Sequence, residues 1–252
     1  MRKKIIVGNW KMHKTVKEAE AFAKAFYPFA LEVSKKDVIV GVAPAYLSLD
    51  VVKKNATNML VVAQNCHYEP KGAFTSDISI PMLQELNIDG SLIGHSERRK
   101  YQHESNWDCN KKLHALFTNK MLPIYCVGET LDEYEAGKSK DVVEQQLKEG
   151  LDGIGGRYVK QLVIAYEPVW SIGTGKNASK EIAQDMCKFI RELIGKLYNQ
   201  DVASEVLIQY GGSVKPENVK EYLACPDIDG VLVGGASLEV EGFKELINNA
   251  LD

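Results

Sequence analysis

The sequence lacks both a long hydrophobic run and an excess of charge of either sign. Among its 252 residues, 31 are Lys or Arg and 34 are Asp or Glu, which gives a formal net charge of −3. Because no basic run accumulates, we expect no nucleic-acid partner. No segment is apolar enough over 20 residues to span a bilayer, and the basic start is not followed by the apolar core of a signal peptide. We therefore expect a cytoplasmic protein without a membrane partner.

Cysteine is scarce and scattered. The five cysteines are odd in number and lack the spacing of metal ligands, so we expect free thiols in a reducing compartment and no metal site. No cofactor motif is present either, and no stretch is linker-like or of low complexity. The sequence thus predicts one domain over residues 1–252, working without a cofactor.

Short apolar, β-branched runs recur along the whole chain. Their first residues advance from 5 to 230 in seven steps, or about 32 residues per step, which is close to one βα unit. Polar-faced segments with helical periodicity lie between them, and eight alternating repeats favour a closed (β/α)8 barrel over an open sheet. The predicted strands are 5–7, 38–42, 59–63, 90–94, 122–127, 162–166, 206–210 and 230–234.

One predicted helix illustrates the pattern between the strands. In residues 181–194 the apolar positions fall on one stripe, and Ser179 is placed to cap the helix N-terminus. The stripe consists of Ile182, Met186, Phe189, Ile190, Leu193 and Ile194.

In a barrel of this kind, chemistry occurs at the carboxyl ends of the strands, and Glu167 follows the sixth predicted strand. Pro168 bars the helical conformation for Glu167, which is therefore held extended where the strand ends. The following loop contains Gly173 and Gly175, which give it conformational freedom. A single carboxylate at a strand end is by default surface charge. Beside a loop able to close over it, it suits a general base shielded from water.

Two other strands end in side chains suited to acid–base chemistry. Asn9 and Lys11 flank Trp10, so both can face the barrel mouth while the indole packs elsewhere. His95 ends the fourth strand and precedes Ser96, a candidate helix cap. A helix N-terminus disfavours the imidazolium, so we expect a neutral hydrogen-bond donor. A lone lysine is more often solvated, and a lone histidine more often merely packs. Their expected position at the same barrel mouth is what favours a catalytic role.

Glycine pairs follow the seventh and eighth strands, at Gly211-Gly212 and Gly234-Gly235. They let backbone N–H groups approach an anion, and these are the loops in which barrels commonly bind phosphate. One such pair usually means only a turn, whereas two at both loops favour a phosphate site. A base, a neutral imidazole and an ammonium beside phosphate suit proton abstraction next to a carbonyl.

Along essentially its full length the chain resembles the triosephosphate isomerases. The segments that carry the resemblance are 8–12, 63–65, 93–99, 126–129, 165–176, 210–214 and 230–238. The resemblance implies interconversion of dihydroxyacetone phosphate and D-glyceraldehyde 3-phosphate, a step of glycolysis and gluconeogenesis. The pairing of a Glu base with a neutral His is a known property of this family.

The resemblance assigns roles to individual residues. Glu167 would move the proton, His95 would polarise the carbonyl, Asn9 and Lys11 would support the oxygens, and Glu97 would assist. Phosphate would be held by Gly173, Ser213, Gly234 and Gly235, while Ile172 and Leu232 would form an apolar clamp over the base. A lid is expected over 168–178, latched by Tyr210. The lid residues are Pro168, Val169, Trp170, Ile172, Thr174, Gly175 and Lys176.

The resemblance also implies a homodimer in which the loop from Asn65 to Ser79 projects into a partner copy, with Thr75 near its tip. The sequence departs from the family pattern at Ser76-Asp77, where Gly-Glu is commoner. Further departures are Gln102-His103, Asn177 and Lys180. All of them concern the dimer contact and the lid rather than the reaction.

Two alternatives remain at this stage. One is another barrel that handles phosphosugars, such as a phosphoribosyl isomerase, against which the Glu-Pro-Val-Trp segment argues. The other is an inactive barrel that only binds phosphometabolites or a protein, against which the intact set Asn9, Lys11, His95 and Glu167 argues.

Overall fold

The computed structural model describes residues 2–172 and 178–251, and within them eight parallel strands close into a barrel. The strands are β1 Lys4–Asn9, β2 Val38–Ala43, β3 Leu60–Ala63, β4 Gly90–Ile93, β5 Leu122–Val127, β6 Val163–Tyr166, β7 Leu207–Tyr210 and β8 Gly230–Val233.

Helices surround the barrel and alternate with its strands. Those in the described residues are α1 Val16–Val33, α2 Leu49–Asn55, α3 Ile80–Glu85, α4 Ser96–Gln102, α5 Asn106–Thr118, α6 Leu131–Glu135, α7 Ser139–Gly150, α8 Gly156–Val159, α9 Lys180–Leu197, α10 Gln200–Glu205, α11 Val219–Leu223 and α12 Val240–Leu251. Short 3₁₀ turns occupy Tyr46–Ser48, Val169–Ser171 and Gly235–Ser237.

The strands follow one another around the barrel in chain order, and β1 closes it by pairing with β8. Ile5 lies opposite Gly230, and Gly8 lies opposite Val233. The predicted (β/α)8 fold is therefore confirmed, and all eight predicted strands agree with the observed bounds to within two residues at each end.

The strands are buried on both faces, which explains their continuous apolar runs. Side chains that point inward, such as Ile5 and Val7, pack with one another inside the barrel. Those that point outward, such as Ile6, pack against the helices in a larger cluster. Both apolar layers exclude water beneath the mouth of the barrel, which keeps the strand ends in fixed positions.

Helix α9 forms as the apolar stripe predicts. The hydroxyl of Ser179 accepts a hydrogen bond from the Ile182 N–H at 3.3 Å, so the predicted cap is confirmed. Met186, Ile190, Leu193 and Ile194 are buried on the stripe, and Ile182 and Phe189 pack against the core while partly exposed.

The five cysteines are free thiols, and four of them are buried. Cys126 lies inside the barrel, where burial raises the pKa of its thiol well above the ordinary value. It therefore packs rather than reacts. Among the helices in the described part of the chain, none combines the length and apolarity needed to cross a membrane.

Candidate active site

A cavity of about 560 Å³ opens at the carboxyl ends of the strands. The loops after β1, β4, β6, β7 and β8 all contribute to its wall, so residues far apart in sequence meet there. Its lining includes Asn9, Lys11, His95, Glu167, Ile172, Gly211, Ser213, Leu232, Gly234 and Gly235. The structure thus brings together the described residues that the sequence assigned to the reaction and to phosphate, except Glu97, whereas the lid residues Pro168, Val169 and Trp170 do not line the cavity.

Glu167 is held directly beyond the end of β6. Its N–H donates to the Val127 carbonyl at 2.7 Å, which extends the pairing of β5 with β6 by one bond. The carboxylate is 3% exposed, with Oε2 accepting from the Ser96 N–H at 3.1 Å and Oε1 lying 3.0 Å from His95 Nε2. The carboxylate and the imidazole therefore form one buried contact in the cavity wall.

Gly211 gives Glu167 the space that it occupies. A Cβ at this position would lie 2.9 Å from Glu167 Cγ, which is closer than real side chains approach. The Gly211 N–H meanwhile donates to the Tyr166 carbonyl at 2.7 Å. The first glycine of the predicted pair therefore accommodates the carboxylate as well as forming a turn.

The N-terminus of α4 departs from the prediction that Ser96 caps it. His95 is the cap, because its backbone is not helical and its Nδ1 accepts the Glu97 N–H at 3.2 Å. Ser96 is the first helical residue instead, and its N–H binds Glu167. The helix end thereby fixes the imidazole, since a proton on Nδ1 would cost the bond from Glu97.

The contact shifts the pKa of both titratable groups. Burial lowers the pKa of His95, but the Glu167 carboxylate raises it by more, so the result is above the ordinary value. Burial raises the pKa of Glu167, but His95 and the Ser96 N–H lower it, so the result is below the ordinary value. The attraction between the carboxylate and a positive ring contributes to both shifts, and hydrogen bonds from the ring and from the Ser96 N–H also lower the pKa of Glu167. The bond at Nδ1 favours the neutral ring with its proton on Nε2.

Asn9 and Lys11 both line the cavity, as expected, and Trp10 is fully buried behind them. The Asn9 Oδ1 accepts from the Lys11 N–H at 3.0 Å, and Lys11 adopts a left-handed backbone with φ of 52°. The Gln64 amide donates to the Lys11 carbonyl at 2.8 Å. Lys11 Nζ lies 2.7 Å from Glu97 Oε1, so Glu97 contacts the site through the ammonium.

The far end of the cavity is formed by the two glycine-rich loops. Ser213, Gly234 and Gly235 line it, with a 3₁₀ turn from Gly235 to Ser237 after β8. Leu232 is buried in the wall and Ile172 is partly buried, so an apolar surface faces the carboxylate end. One end of the cavity is therefore suited to an anion and the other to proton transfer.

Comparison with known proteins gives the family. The family model described as Triosephosphate isomerase matches residues 4–250. The chain is 50% identical over 250 residues to a triosephosphate isomerase of Streptococcus gordonii, and likewise to one of Streptococcus pneumoniae, each covering 98% of both chains. A Streptococcus pyogenes triosephosphate isomerase is 49% identical over 248 residues, also covering 98% of both chains.

The chain belongs to the triosephosphate isomerase family.

In this member of the triosephosphate isomerase family, the start of the expected lid is anchored by the buried Glu129. The Val169 N–H donates to the Glu129 carbonyl at 3.0 Å, and Trp170 Nε1 donates to Glu129 Oε1 at 2.9 Å. Pro168 precedes the 3₁₀ turn that contains both donors. The remaining predicted residues Gly173, Thr174, Gly175 and Lys176 lie outside the described residues. The lid itself and its latch by the buried Tyr210 stay predictions.

Three contributors to the site were not assigned from the sequence. They are the Ser96 N–H, the Gln64 amide and the Glu129 carboxylate, each of which holds backbone or side chains near the reacting groups. Gln64 and Glu129 follow strands β3 and β5. They could have been found as His95 was, because polar residues just after barrel strands lie at the mouth. Over the described side chains, no group of three or more His, Cys, Asp or Glu is arranged to hold a metal ion.

Proposed function

We propose that Glu167 is the general base with which this chain interconverts dihydroxyacetone phosphate and D-glyceraldehyde 3-phosphate, a step of glycolysis and gluconeogenesis. The observation that carries the proposal is the contact of 3.0 Å between Glu167 and His95, at one end of a cavity whose other end is lined by Ser213, Gly234 and Gly235. A substrate with its phosphate at the glycine end would place its carbonyl and hydroxyl carbons near this pair.

The reaction moves one proton between two adjacent carbons and one proton between the oxygens that these carbons carry. Glu167 takes the proton from the carbon beside the carbonyl, and the electron pair left behind forms the enediolate. His95 Nε2 donates a hydrogen bond to the developing oxygen charge, and Lys11 and Asn9 supply positive potential and a further polar contact. His95 Nε2 gives its proton to the former carbonyl oxygen and takes one from the neighbouring hydroxyl oxygen, and Glu167 returns a proton to the neighbouring carbon. Protons and electrons balance within substrate and side chains, so no redox partner or cofactor is required.

The surroundings of Glu167 allow its basicity to change during the cycle. In the structure the pKa of Glu167 is held low, against the effect of burial, by His95 and the Ser96 N–H. A bound substrate competes for His95 Nε2 and removes part of this stabilisation. Ile172 and Leu232 exclude water from the same end of the cavity, and a desolvated carboxylate is a stronger base.

Family membership and the geometry of the site argue against the two alternative functions, a different phosphosugar isomerase and an inactive barrel. A phosphoribosyl isomerase is disfavoured because the chain matches the triosephosphate isomerase model over residues 4–250. An inactive barrel that only binds ligands would not need a buried carboxylate in contact with an imidazole, because isolating such groups from water is costly unless it serves chemistry.

The proposal is tested by Glu167→Gln in a coupled isomerase assay. The amide keeps the shape of the side chain but cannot take a proton, so we expect turnover to fall by roughly 10²–10⁴-fold. Inhibition by inorganic phosphate should stay unchanged, because the glycine loops are intact. Glu221→Gln, an exposed carboxylate on α11, is the matched control and should remain within about twofold of wild type. Near-normal turnover of the Glu167 variant would exclude this residue as the base.

We also propose that the chain forms a homodimer through the loop from Asn65 to Ser79 and works in the cytoplasm. Large apolar side chains are exposed after four successive strands, namely Met12 at 95%, Leu47 at 85%, Phe74 at 41% and Tyr101 at 63%. They follow β1, β2, β3 and β4, so they share one side of the barrel mouth, and a second copy would cover them. Five unpaired thiols suit a reducing compartment.

A further inference from the structure

The side chain of Gln146 on α7 is bound to a single residue of the barrel rim. Its Oε1 accepts the Gly128 N–H at 2.8 Å, and its Nε2 donates to the Gly128 carbonyl at 3.0 Å. The ladder between β5 and β6 ends with Val127 opposite Tyr166, so Gly128 has left the sheet. The amide of Gln146 therefore supplies the pair of hydrogen bonds that a neighbouring strand would otherwise make.

Gly128 in turn lies directly against the backbone of Glu167. A Cβ built on Gly128 would lie 1.8 Å from the Glu167 carbonyl oxygen and 2.6 Å from its carbonyl carbon. The residues on either side are bonded to the same segment, since the Val127 carbonyl accepts from the Glu167 N–H at 2.7 Å and the Glu129 carbonyl accepts from the Val169 N–H at 3.0 Å. The rim from Val127 to Glu129 is thus the support on which Glu167 rests.

We infer that Gln146 is a positioning residue for the isomerase reaction. By binding both polar groups of Gly128, it fixes the rim that sets the position of the Glu167 backbone. Gln146 is itself 8% exposed, and its backbone carbonyl accepts the Tyr125 hydroxyl at 2.7 Å, which ties the helix to β5 at the same level. Without the amide, Gly128 would lose two hydrogen bonds, and the rim and the base would shift together.

The first test compares Gln146→Met with Gln145→Met. Methionine is close to glutamine in length but cannot make either hydrogen bond to Gly128. Gln145 is the neighbouring residue on the same helix, but it is exposed and donates to Glu149 instead. Because a displacement of a reacting group by about 1 Å can cost 10²-fold, we expect kcat of Gln146→Met to fall by about 10- to 100-fold.

The KM of Gln146→Met and its inhibition constant for inorganic phosphate should change much less than its kcat. Ser213, Gly234 and Gly235 follow β7 and β8 and are not part of the rim from Val127 to Glu129, so KM and the inhibition constant of inorganic phosphate should stay within about twofold of wild type. Gln145→Met should match wild type in all three quantities. A kcat equal to that of Gln145→Met, or a rise in KM and in the phosphate constant comparable to the fall in kcat, would overturn the inference. Circular dichroism at the assay temperature checks that each variant is folded.

A second variant, Gln146→Glu, separates positioning from packing and stays decisive if the methionine variant does not fold. As a carboxylate it can accept the Gly128 N–H but repels the Gly128 carbonyl, whereas as a protonated acid it makes both bonds. The ratio of its kcat to that of wild type should therefore rise as pH falls from about 9 to about 5, since burial beside a carbonyl raises a carboxyl pKa into this range. A ratio independent of pH would contradict the inference.

The inference rests on the proposed function, and the controls distinguish the two. If wild type and Gln145→Met lack triose phosphate isomerase activity, the proposed function fails. If both are active and the Gln146 variants behave like them, only the role of Gln146 fails.

Discussion

At the scale of single residues, the site depends on which nitrogen of His95 carries a proton. We predict a ring protonated only on Nε2 at neutral pH, because Nδ1 accepts the Glu97 N–H and α4 begins at this position. Nitrogen NMR of protein labelled in its five histidines distinguishes this form from the doubly protonated ring. A doubly protonated His95 at neutral pH would contradict its role as a neutral donor.

The same spectra test the electrostatic coupling to Glu167. The carboxylate favours the imidazolium and raises the pKa of His95 against the effect of burial. In Glu167→Gln the charge is lost while burial remains, so the pKa of His95 should fall below its value in wild type. The imidazolium should accordingly form only at a lower pH in the variant. Glu221→Gln should leave the titration of His95 unchanged.

Strand ends made most of the site predictable at this scale. Glu167, His95 and Lys11 follow buried strands and Asn9 ends β1, and parallel strands of a barrel deliver their carboxyl ends to one mouth. The cap was not predictable in the same way. Whether Ser96 or the ring of His95 accepts the first helical N–H depends on the rotamer of the imidazole, which tertiary contacts decide.

At the scale of one element, the loop from Asn65 to Ser79 contains a strained residue. Ser76 has φ of +77°, a left-handed conformation that glycine adopts without steric cost. The ring of Phe74 packs 4.1 Å from that of His67 within the same loop, and the Asp77 N–H donates to the Phe74 carbonyl at 3.1 Å. The loop is thus ordered by its own contacts despite this strain.

We predict that Ser76→Gly stabilises the protein by about 0.5–1 kcal/mol, since a non-glycine residue in this conformation costs roughly 1–2 kcal/mol and glycine loses part of that gain to its freer unfolded state. Ser76→Ala, which keeps the Cβ, is the matched control and should show no gain. Urea unfolding at one fixed protein concentration measures both. Equal stability of the two variants would show that the backbone at Ser76 is unstrained.

Helix α7 shows what sequence periodicity does not reveal about an element. Its apolar positions predict the face toward the barrel, on which Val143 and Leu147 are buried. Gln146 lies on that face although it is polar, and the pattern alone reads it as a tolerated exception. Only the packing of α7 against the end of β5 gives the amide its partner, Gly128.

At the scale of the whole molecule, the exposed apolar side chains after β1 to β4 predict self-association. Leu47→Lys should shift the chain toward monomers, because a stable interface of ordinary size buries roughly 1,200–2,000 Å² and tolerates an unpaired central charge poorly. Leu197→Lys makes the same change at an exposed leucine at the end of α9 and should leave association unaltered. Sedimentation at micromolar concentration measures both variants and wild type. A monomeric wild type would exclude the dimer.

The architecture as a whole was the most predictable property, because a repeat of buried strand and amphipathic helix leaves few alternatives once it occurs eight times. The least predictable contacts were between side chains and backbone from distant segments, such as Gln64 with Lys11 and Gln146 with Gly128. Such contacts depend on distances that only the closed barrel defines, whereas composition and periodicity describe each segment alone.

The pairing of β1 with β8 determines when the active site is completed during synthesis and folding. Ile5 meets Gly230, so the contact that closes the barrel joins the two most separated strands and is the slowest kind to form. Asn9 and Lys11 emerge early from the ribosome, whereas Gly234 and Gly235 emerge almost last. The nascent chain therefore carries Asn9 and Lys11 without an anion pocket for most of its synthesis, and catalysis begins only once the C-terminal strand has docked.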